Sequence, residues 1–378
     1  MITVLDKREC CGCGACAQRC PHQCITMRED DEGFLYPYIN HSLCKDCGLC
    51  NSVCPVLLQD KPLTPIKVYA ARNKDIQEQM QSSSGGIFVH MAKNILRCGG
   101  VVFGAKYNSQ WEVEHGYIED ITEIPVLMRS KYVQSRIGNA YKEVECFLKQ
   151  GRKVLFVGVP CQVSGLKRFL RKEYGNLYLV DIICHGVPSP AVWRGYIKET
   201  VNTEELVDVN FRDKKGFSWQ KYGMTFIHSN SKEGSTAKNN LFFKGYLHNL
   251  FLRPSCYSCP SKSSRSHADI TIGDFWGVKK ISRSLFDKKG VSMIILNSMH
   301  GLDILDNTQL IISETPIDTS LSLNPSYSTC PVSPTQRDSF FEDFISNKYT
   351  TCMSISRNLK HYSFMDRLFV VLNNLIKH

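Results

Sequence analysis

The sequence predicts a small α+β domain followed by a larger α/β domain whose sheet is largely parallel or mixed. Three observations predict it. Two cysteine-rich runs near the N-terminus, "CCGCGACAQRCP" and "CKDCGLCNSVCP", repeat one spacing on either side of a candidate hairpin. Between residues 68 and 200, short apolar runs then alternate with segments of helical periodicity. Beyond that point paired strand-like runs take over. With 378 residues and 43% hydrophobic content, the chain is long enough for two or three domains. We place the first at 1–58, a linker at 59–67, a main domain at 68–335 with parts 68–150 and 151–335, and a helical tail at 336–378.

In the first domain, with Cys11 set aside, Cys10, Cys13, Cys16 and Cys20 follow C-x2-C-x2-C-x3-C and then Pro21. Cys44, Cys47, Cys50 and Cys54 repeat this before Pro55. That is the run of a bacterial two-cluster ferredoxin, in which the fourth cysteine ligates the other cluster. The expected ligand sets for the two 4Fe-4S clusters are therefore Cys10, Cys13, Cys16 and Cys54, and Cys44, Cys47, Cys50 and Cys20. Gly12, Gly14 and Gly48 let the backbone fold close around sulfur. Zinc, held by paired C-x2-C knuckles, fits two complete runs poorly. Cys11 and Cys24 are surplus and are expected to be buried or bystander thiols. "DDEG", between short apolar segments, reads as the turn of a hairpin. The α+β fold expected here is thus ferredoxin-like.

"VLLQDKPLTPIK" has two prolines and little periodicity, as a linker does. The main domain opens with the strand "VYAAR" and the helix that follows "SSSGG". It continues with the strand "VVFGAKY", the helix "IGNAYKEVECFLKQG", the strand "KVLFVGVP" and the helix "CQVSGLKRFLRKEYG". The strand "LYLVDIICHGVPSP" and the helix "AVWRGYIKETV" follow. "VDVNFRDKKGFSWQKYGMTFIHS" reads as paired strands, "NNLFFKGYLHNLFLRPSCYSCP" as a helix ending in a cysteine pair, and "HADITIGDFWG" and "VSMIILN" as strands. The tail ends in "FMDRLFVVLNNLIKH", an apolar-rich helix expected to pack on the body, with docking to a partner as the alternative.

Four further cysteines fall in suggestive places. Cys161 and Cys184 each follow a strand, and consecutive strand ends in a parallel sheet open onto one edge. Cys256 and Cys259 form a C-x2-C clasp. The quartet has the ligand count of a third 4Fe-4S cluster, with zinc as the alternative. Cys98, Cys146, Cys330 and Cys352 read as buried hydrophobes. His185, beside Cys184, is either a hydrogen-bond donor toward cofactor or a packing residue.

Residues 1–60 carry five Lys/Arg and eight Asp/Glu, a net −3, so the rest of the +10 chain carries +13. A basic body on an acidic head suits an anionic cofactor or substrate, or an acidic partner, unless it is simply a solvated surface. Nucleic acid is not indicated, because no recognition motif or dense basic stripe is present. "MITVLDKREC" lacks a signal-peptide core and no run is long enough to span a membrane, so clustered cysteines in a cytoplasmic protein are expected to bind metal.

One-electron carriers need a terminus that also handles hydride, which flavin does. The first candidate anion site is Ser83, Ser84, Gly85 and Gly86 at a predicted helix N-terminus, where unpaired N–H groups favour phosphate. Simple helix capping is the alternative. The second is Lys131, Gln134 and Ser135, before another helix. No G-x-G-x-x-G fingerprint follows a strand, so an ordinary dinucleotide site is not indicated.

Taken together and in order, "SSSGGIF", "SKYVQSRIG", "VGVPCQVSGLKRFL", "ICHGVPSP", "FLRPSCYSCP" and "HADITIGDFWG" resemble the coenzyme F420 hydrogenase/dehydrogenase family of beta subunits across residues 66–280. The resemblance implies an oxidoreductase that binds FAD and a 4Fe-4S cluster, with ligands at Cys161, Cys184, Cys256 and Cys259. It also implies flavin near Ser84 to Gly86 and Lys131 to Ser135, and Asp274 near the site. Relatives with the N-terminal two-cluster domain resemble bacterial enzymes of surface polysaccharide biosynthesis. The expected partners are a soluble ferredoxin- or flavodoxin-type protein and a small-molecule substrate. A non-catalytic electron-transfer subunit is the rival reading.

Overall fold

The computed structural model describes residues 2–305 and 307–360. Strands β1 (Ile25–Glu29) and β2 (Leu35–Ile39) form the expected antiparallel hairpin, Ile25 opposite Ile39. Its turn closes through Gly33, whose N–H donates to the Asp30 carbonyl at 2.8 Å and whose φ of +87° favours glycine. Two short helices, Ala15–Arg19 and Leu49–Ser52, hold the cysteine runs. Each is entered through a left-handed glycine, Gly14 and Gly48, at the matching place in the repeat.

The main domain contributes β3 (Lys67–Asn73), β4 (Val101–Tyr107), β5 (Val113–Ile118), β6 (Val154–Gly158) and β7 (Leu177–Ile182). Three more strands, β8 (Leu206–Asp213), β9 (Gly223–His228) and β10 (Lys232–Thr236), make a separate antiparallel sheet. The chain then adds β11 (Ile270–Asp274), β12 (Ser292–Leu296) and β13 (Leu310–Thr315). The large sheet has eight strands in the order β13-β3-β12-β11-β7-β6-β4-β5. Its centre, β11-β7-β6-β4, is parallel and its flanks are antiparallel, the mixed sheet expected.

Both faces of that sheet are covered, which is why its central strands read as continuous apolar runs. Leu155, Tyr178 and Val180 bury on one face with the helix Ile87–Arg97. Val154, Phe156, Leu177 and Leu179 bury on the other with the helices Ala140–Lys149 and Pro160–Leu170. The same second face receives Cys11, Cys13 and Ala15 of the first domain. A separate core collects Trp193, Phe211, Phe242, Phe251 and Phe340, together with Phe34 from the β1–β2 turn.

Cys98 and Cys146 are exposed, contrary to the sequence reading. Cys98 closes a helix and Cys146 lies on the outer face of another, beyond the buried Tyr141, Val144 and Leu148. Cys330 and Cys352 are half-buried. Helices Arg337–Ile345 and Thr351–Lys360 pack on the body, with Phe340, Phe341 and Ile355 in its core. The segment "FMDRLFVVLNNLIKH" lies outside the described residues.

Candidate electron-transfer and cofactor site

The cysteines of the two runs regroup across the repeat. Cys10 and Cys16 lie within electrostatic reach of Cys54, from the second run, and Cys13 lies beside Cys16. Conversely, Cys20 of the first run lines a surface depression with Cys44, Cys47 and Cys50. The surplus thiols are buried inside these groups. Cys24 lines the same depression, its Sγ 3.3 Å from that of Cys20. Cys11 lies within electrostatic reach of Cys13 and of Cys161 of the main domain.

The four scattered cysteines also meet. Cys161 opens the helix after β6, Cys184 lies two residues past β7, and Cys256 and Cys259 sit in and just after the turn Pro254–Ser258. Cys256 interacts with Cys184 and Cys259, and Cys161 with Cys259 and Cys184. The Val187 N–H points at the Cys256 Sγ, 3.4 Å away. Burial pushes the Cys259 thiol up to about 12, so as thiolates these sulfurs need compensating positive charge, which iron or zinc supplies. Among the described residues, no three His, Cys, Asp or Glu side chains close on a point fit for a single metal ion.

A cavity of roughly 410 Å³ opens at the C-terminal edge of β4, β6, β7 and β11, where open α/β sheets place their ligands. Cys184 lies in its wall, so the quartet borders the cavity directly. Ser83, Ser84, Gly86, Lys131 and Ser135 line it as well. Gly85 does not. Its N–H donates to Ser292 Oγ at 2.9 Å, and a Cβ there would stand 2.5 Å from the Ala71 carbonyl, so this glycine serves strand packing. Gln134 faces the other way, donating to the Cys11 carbonyl at 3.0 Å and accepting from Arg253 at 2.9 Å. Sequence proximity groups it with Lys131, but neighbouring residues in extended chain point to opposite sides.

Residue patterns alone did not pick out Arg212. It is buried in the cavity wall, donating to Asp274 at 2.8 Å and to the Tyr132 hydroxyl at 3.1 Å. The Trp219 indole N–H donates to Asp274 at 2.6 Å, so Asp274 holds both groups in place. Burial pulls Lys131 down to about 7; its Nζ donates to the Met128 carbonyl and stands 5.6 Å from the Tyr107 ring. Lys214, also lowered to about 7 by burial, ties the carbonyls of Gln79, Ser84 and Lys289 together and so fixes the serine-glycine turn. His185 Nε2–H donates to Asn249 Oδ1 at 2.6 Å, and burial lowers its pKa.

The family model for the C terminus of the beta subunit of coenzyme F420 hydrogenase/dehydrogenase matches residues 151–319, and the 4Fe-4S dicluster domain matches residues 9–57. The chain joins a 4Fe-4S dicluster domain to a domain of the coenzyme F420 hydrogenase/dehydrogenase beta type. The resemblance drawn from the motif set is thereby borne out, although "SSSGGIF" and "SKYVQSRIG" precede the matched segment. One subunit of F(420)H(2) dehydrogenase from Methanosarcina mazei is 25% identical over 60% of this chain and 68% of its own length. Coenzyme F420-dependent sulfite reductase of Methanocaldococcus jannaschii is 26% identical over 49% of this chain, which spans only 29% of that enzyme. An uncharacterized ferredoxin of the same organism is 31% identical over 19% of this chain and 92% of its own. A chain of the F420-reducing [NiFe] hydrogenase complex from Methanosarcina barkeri aligns with a TM-score of 0.46 at 16% identity, over 80% of this chain and 93% of that one. The protein is thus an iron-sulfur electron-transfer protein of oxidoreductase type. No helix among its described residues is long and apolar enough to cross a membrane.

The dicluster domain is seated firmly on the larger domain. Glu32 pairs with Arg337 through both oxygens, at 3.1 and 2.5 Å. Arg136 pairs with Glu29 at 2.6 Å, and Arg253 donates to the carbonyls of Cys10 and Leu35 at 2.8 and 2.9 Å.

Proposed function

We propose that the protein is an iron-sulfur flavoprotein oxidoreductase. In this reading Cys10, Cys13, Cys16 and Cys54 hold one 4Fe-4S cluster, and Cys44, Cys47, Cys50 and Cys20 a second. Cys161, Cys184, Cys256 and Cys259 hold a third, and FAD occupies the cavity. The observation that carries it is continuity. Cys11 joins Cys13 to Cys161, and Cys184, in the same quartet, borders the cavity. Flavin supplies the conversion between single electrons and hydride. Ser83, Ser84 and Gly86 would face its phosphates at the start of the helix Ile87–Arg97, with Lys131 and Arg212 adding positive charge. Tyr132, Tyr222, Tyr246 and Trp276 offer aromatic surface for a planar ring.

The acceptor or donor beyond the cavity is an organic molecule. An F420-type deazaflavin is one candidate, since two relatives bear that coenzyme in their names. A substrate of surface polysaccharide biosynthesis is the other class to screen. At the opposite end, a soluble ferredoxin- or flavodoxin-type protein in the cytoplasm exchanges electrons with the cluster at the exposed Cys47.

The test is anaerobic purification with iron, sulfide and flavin measured on one sample. About twelve irons and one FAD per chain are expected from three cubanes. Cys161→Ser should lower iron to about eight while leaving the dicluster pair. Full iron without flavin would favour a non-catalytic electron-transfer role within a larger assembly, a reading supported by the dehydrogenase relative, which is named as one part of a multi-part enzyme.

A further inference from the structure

Arg253 is among the largest fully buried side chains of the protein, at 1% exposure. A guanidinium cannot lose its proton, so this is a permanent cation taken out of water. Such a charge costs several kcal/mol unless something compensates it. Among the described residues no Asp or Glu forms an ion pair with it. Its hydrogen bonds go to neutral acceptors: the Cys10 carbonyl at 2.8 Å, the Leu35 carbonyl at 2.9 Å and Gln134 Oε1 at 2.9 Å. Its carbon stands 4.4 Å from the Tyr36 ring centre. The groups whose negative form it would stabilise are Cys10, Tyr36, Cys11 and Cys256. Cys10 belongs to the dicluster domain and Cys256 to the quartet.

The site is built for this cation. A Cβ at Gly12 would stand 2.7 Å from the Arg253 guanidinium, so the first cysteine run needs a glycine there for Arg253 to enter. Two other buried arginines each have a carboxylate: Arg212 has Asp274 and Arg337 has Glu32. Arg253 alone among these three lacks one.

We propose that Arg253 is the shared counter-charge of two iron-sulfur clusters, the one held by Cys10, Cys13, Cys16 and Cys54 and the one held by the quartet. It thereby raises the reduction potentials of both and leaves that of the remaining cluster, at Cys44, Cys47, Cys50 and Cys20, unchanged. This rests on the cluster assignments proposed above. A cubane with four thiolates is anionic and gains one further negative charge on reduction, so a fixed cation favours the reduced form. Arg253 is a positioning residue here, acting through charge and not by ligation. Because it docks the two domains and biases both clusters, the relay is tuned only when the domains are joined.

The test is a redox titration of the full chain, purified anaerobically, followed by electron paramagnetic resonance with dithionite as reductant and viologen mediators. Cys161→Ser, which removes the quartet's cluster, assigns the signals. In Arg253→Gln the reduced-to-oxidised ratio at fixed potential should fall at least tenfold for two clusters, a shift of about 59 mV for one electron. The remaining cluster should stay within twofold of wild type. Arg253→Lys, which keeps the charge, should hold all three within threefold. Should Arg253→Gln fail to fold, Gln134→Glu carries the test, since it sets a carboxylate on the same guanidinium and should lower the same two clusters. The proposal is overturned if the folded variants leave every potential within twofold, if all three fall equally, or if Arg253→Lys falls as far as Arg253→Gln. Wild-type protein with fewer than about twelve irons would instead defeat the cluster assignments, a separate result read before any variant is compared.

Discussion

Glu32→Gln should loosen the dicluster domain by a measurable amount. Glu32 lies in the β1–β2 turn and Arg337 in the first tail helix, with side chains only 13% and 10% exposed. The carboxylate accepts from both terminal Arg337 nitrogens, and the Leu252 carbonyl accepts from Arg337 as well, at 3.2 Å. An amide in its place turns an N–H group toward a guanidinium and leaves that cation with little compensation. Removing one partner of a buried pair costs about 3–5 kcal/mol. Because Tyr257 also reaches Arg337, the lower end applies. A loss of about 3 kcal/mol is roughly 150-fold in an opening equilibrium.

Global unfolding is a poor measure in a two-domain metalloprotein, so the assay is native-state hydrogen exchange. The Phe34 amide, which donates to Asp30 at 2.8 Å and sits in the shared core, should exchange about 150-fold faster. Amides of β6 should not change. The double variant Glu32→Gln/Arg337→Met removes the stranded charge and should recover at least half the loss, since replacing both partners of a buried pair is often neutral. If Glu32→Gln speeds exchange less than fivefold, or the double variant is no better than the single, the pair does not hold the domain.

Asp274→Asn strands Arg212 in the same way and should cost about 3–5 kcal/mol, read by native-state hydrogen exchange of the β11 amides; a loss below about 1 kcal/mol would refute this. Lys131, lowered to about 7, gives a pH signature with a defined sign. The folded chain releases that proton near pH 7 and the unfolded chain near about 10.4, so stability attributable to Lys131 rises between those values while anion affinity falls as pH passes 7. Calorimetric titration with FAD across about pH 6–8 should show that fall, and Lys131→Met should make it shallower; the difference between the two proteins is the part due to Lys131, since Lys214 is present in both. Gly165→Ala should disturb the inner cysteine group, because a Cβ there would meet Cys13 Sγ at 3.0 Å and the Tyr141 hydroxyl at 2.8 Å. Iron should drop from about twelve toward about eight per chain, and full iron content would show that the loop accommodates the methyl.

What the sequence revealed and what it concealed have physical reasons. The buried strands β6 and β12 announced themselves as unbroken apolar runs. β5, β10 and β13 lie at sheet edges, where one side needs no burial, and their polar residues blurred the pattern: "KEGST" in β10 has no apolar side chain at all. Cysteine spacing carried the two runs because a cubane imposes it locally. The quartet is assembled from strand ends far apart in sequence, so only its position after strands hinted at it. Arg212 and Arg253 were illegible because their meaning is a partner. Nothing in "FRD" or "LRPS" says that one arginine meets a carboxylate and the other none. Gln134 failed for the converse reason, since adjacency to Lys131 says nothing about which side of the chain a residue faces.

The seating of the two domains bears on how such a protein would work. Of the twelve proposed ligand cysteines Cys47 is exposed, and the other eleven are half-buried or buried. Cys16 senses Cys50, which links the outer group to the inner one. Cys11 then bridges Cys13 to Cys161, and Cys184 opens on the cavity. A tethered ferredoxin that swung freely would need only a long linker and a weak patch. Here the linker is short, the turn residue Phe34 is fully buried in the partner domain's core, and a Cβ on Gly33 would stand 2.4 Å from that of Ala191. Tight seating suits a fixed path better than a shuttle, because transfer between carriers held at one separation needs no domain search. In the proposed reading electrons would then pass through the end at Cys47, and a protein that exchanges them would be selected by the surface around Leu43 and Cys47, both exposed, and not by the cavity.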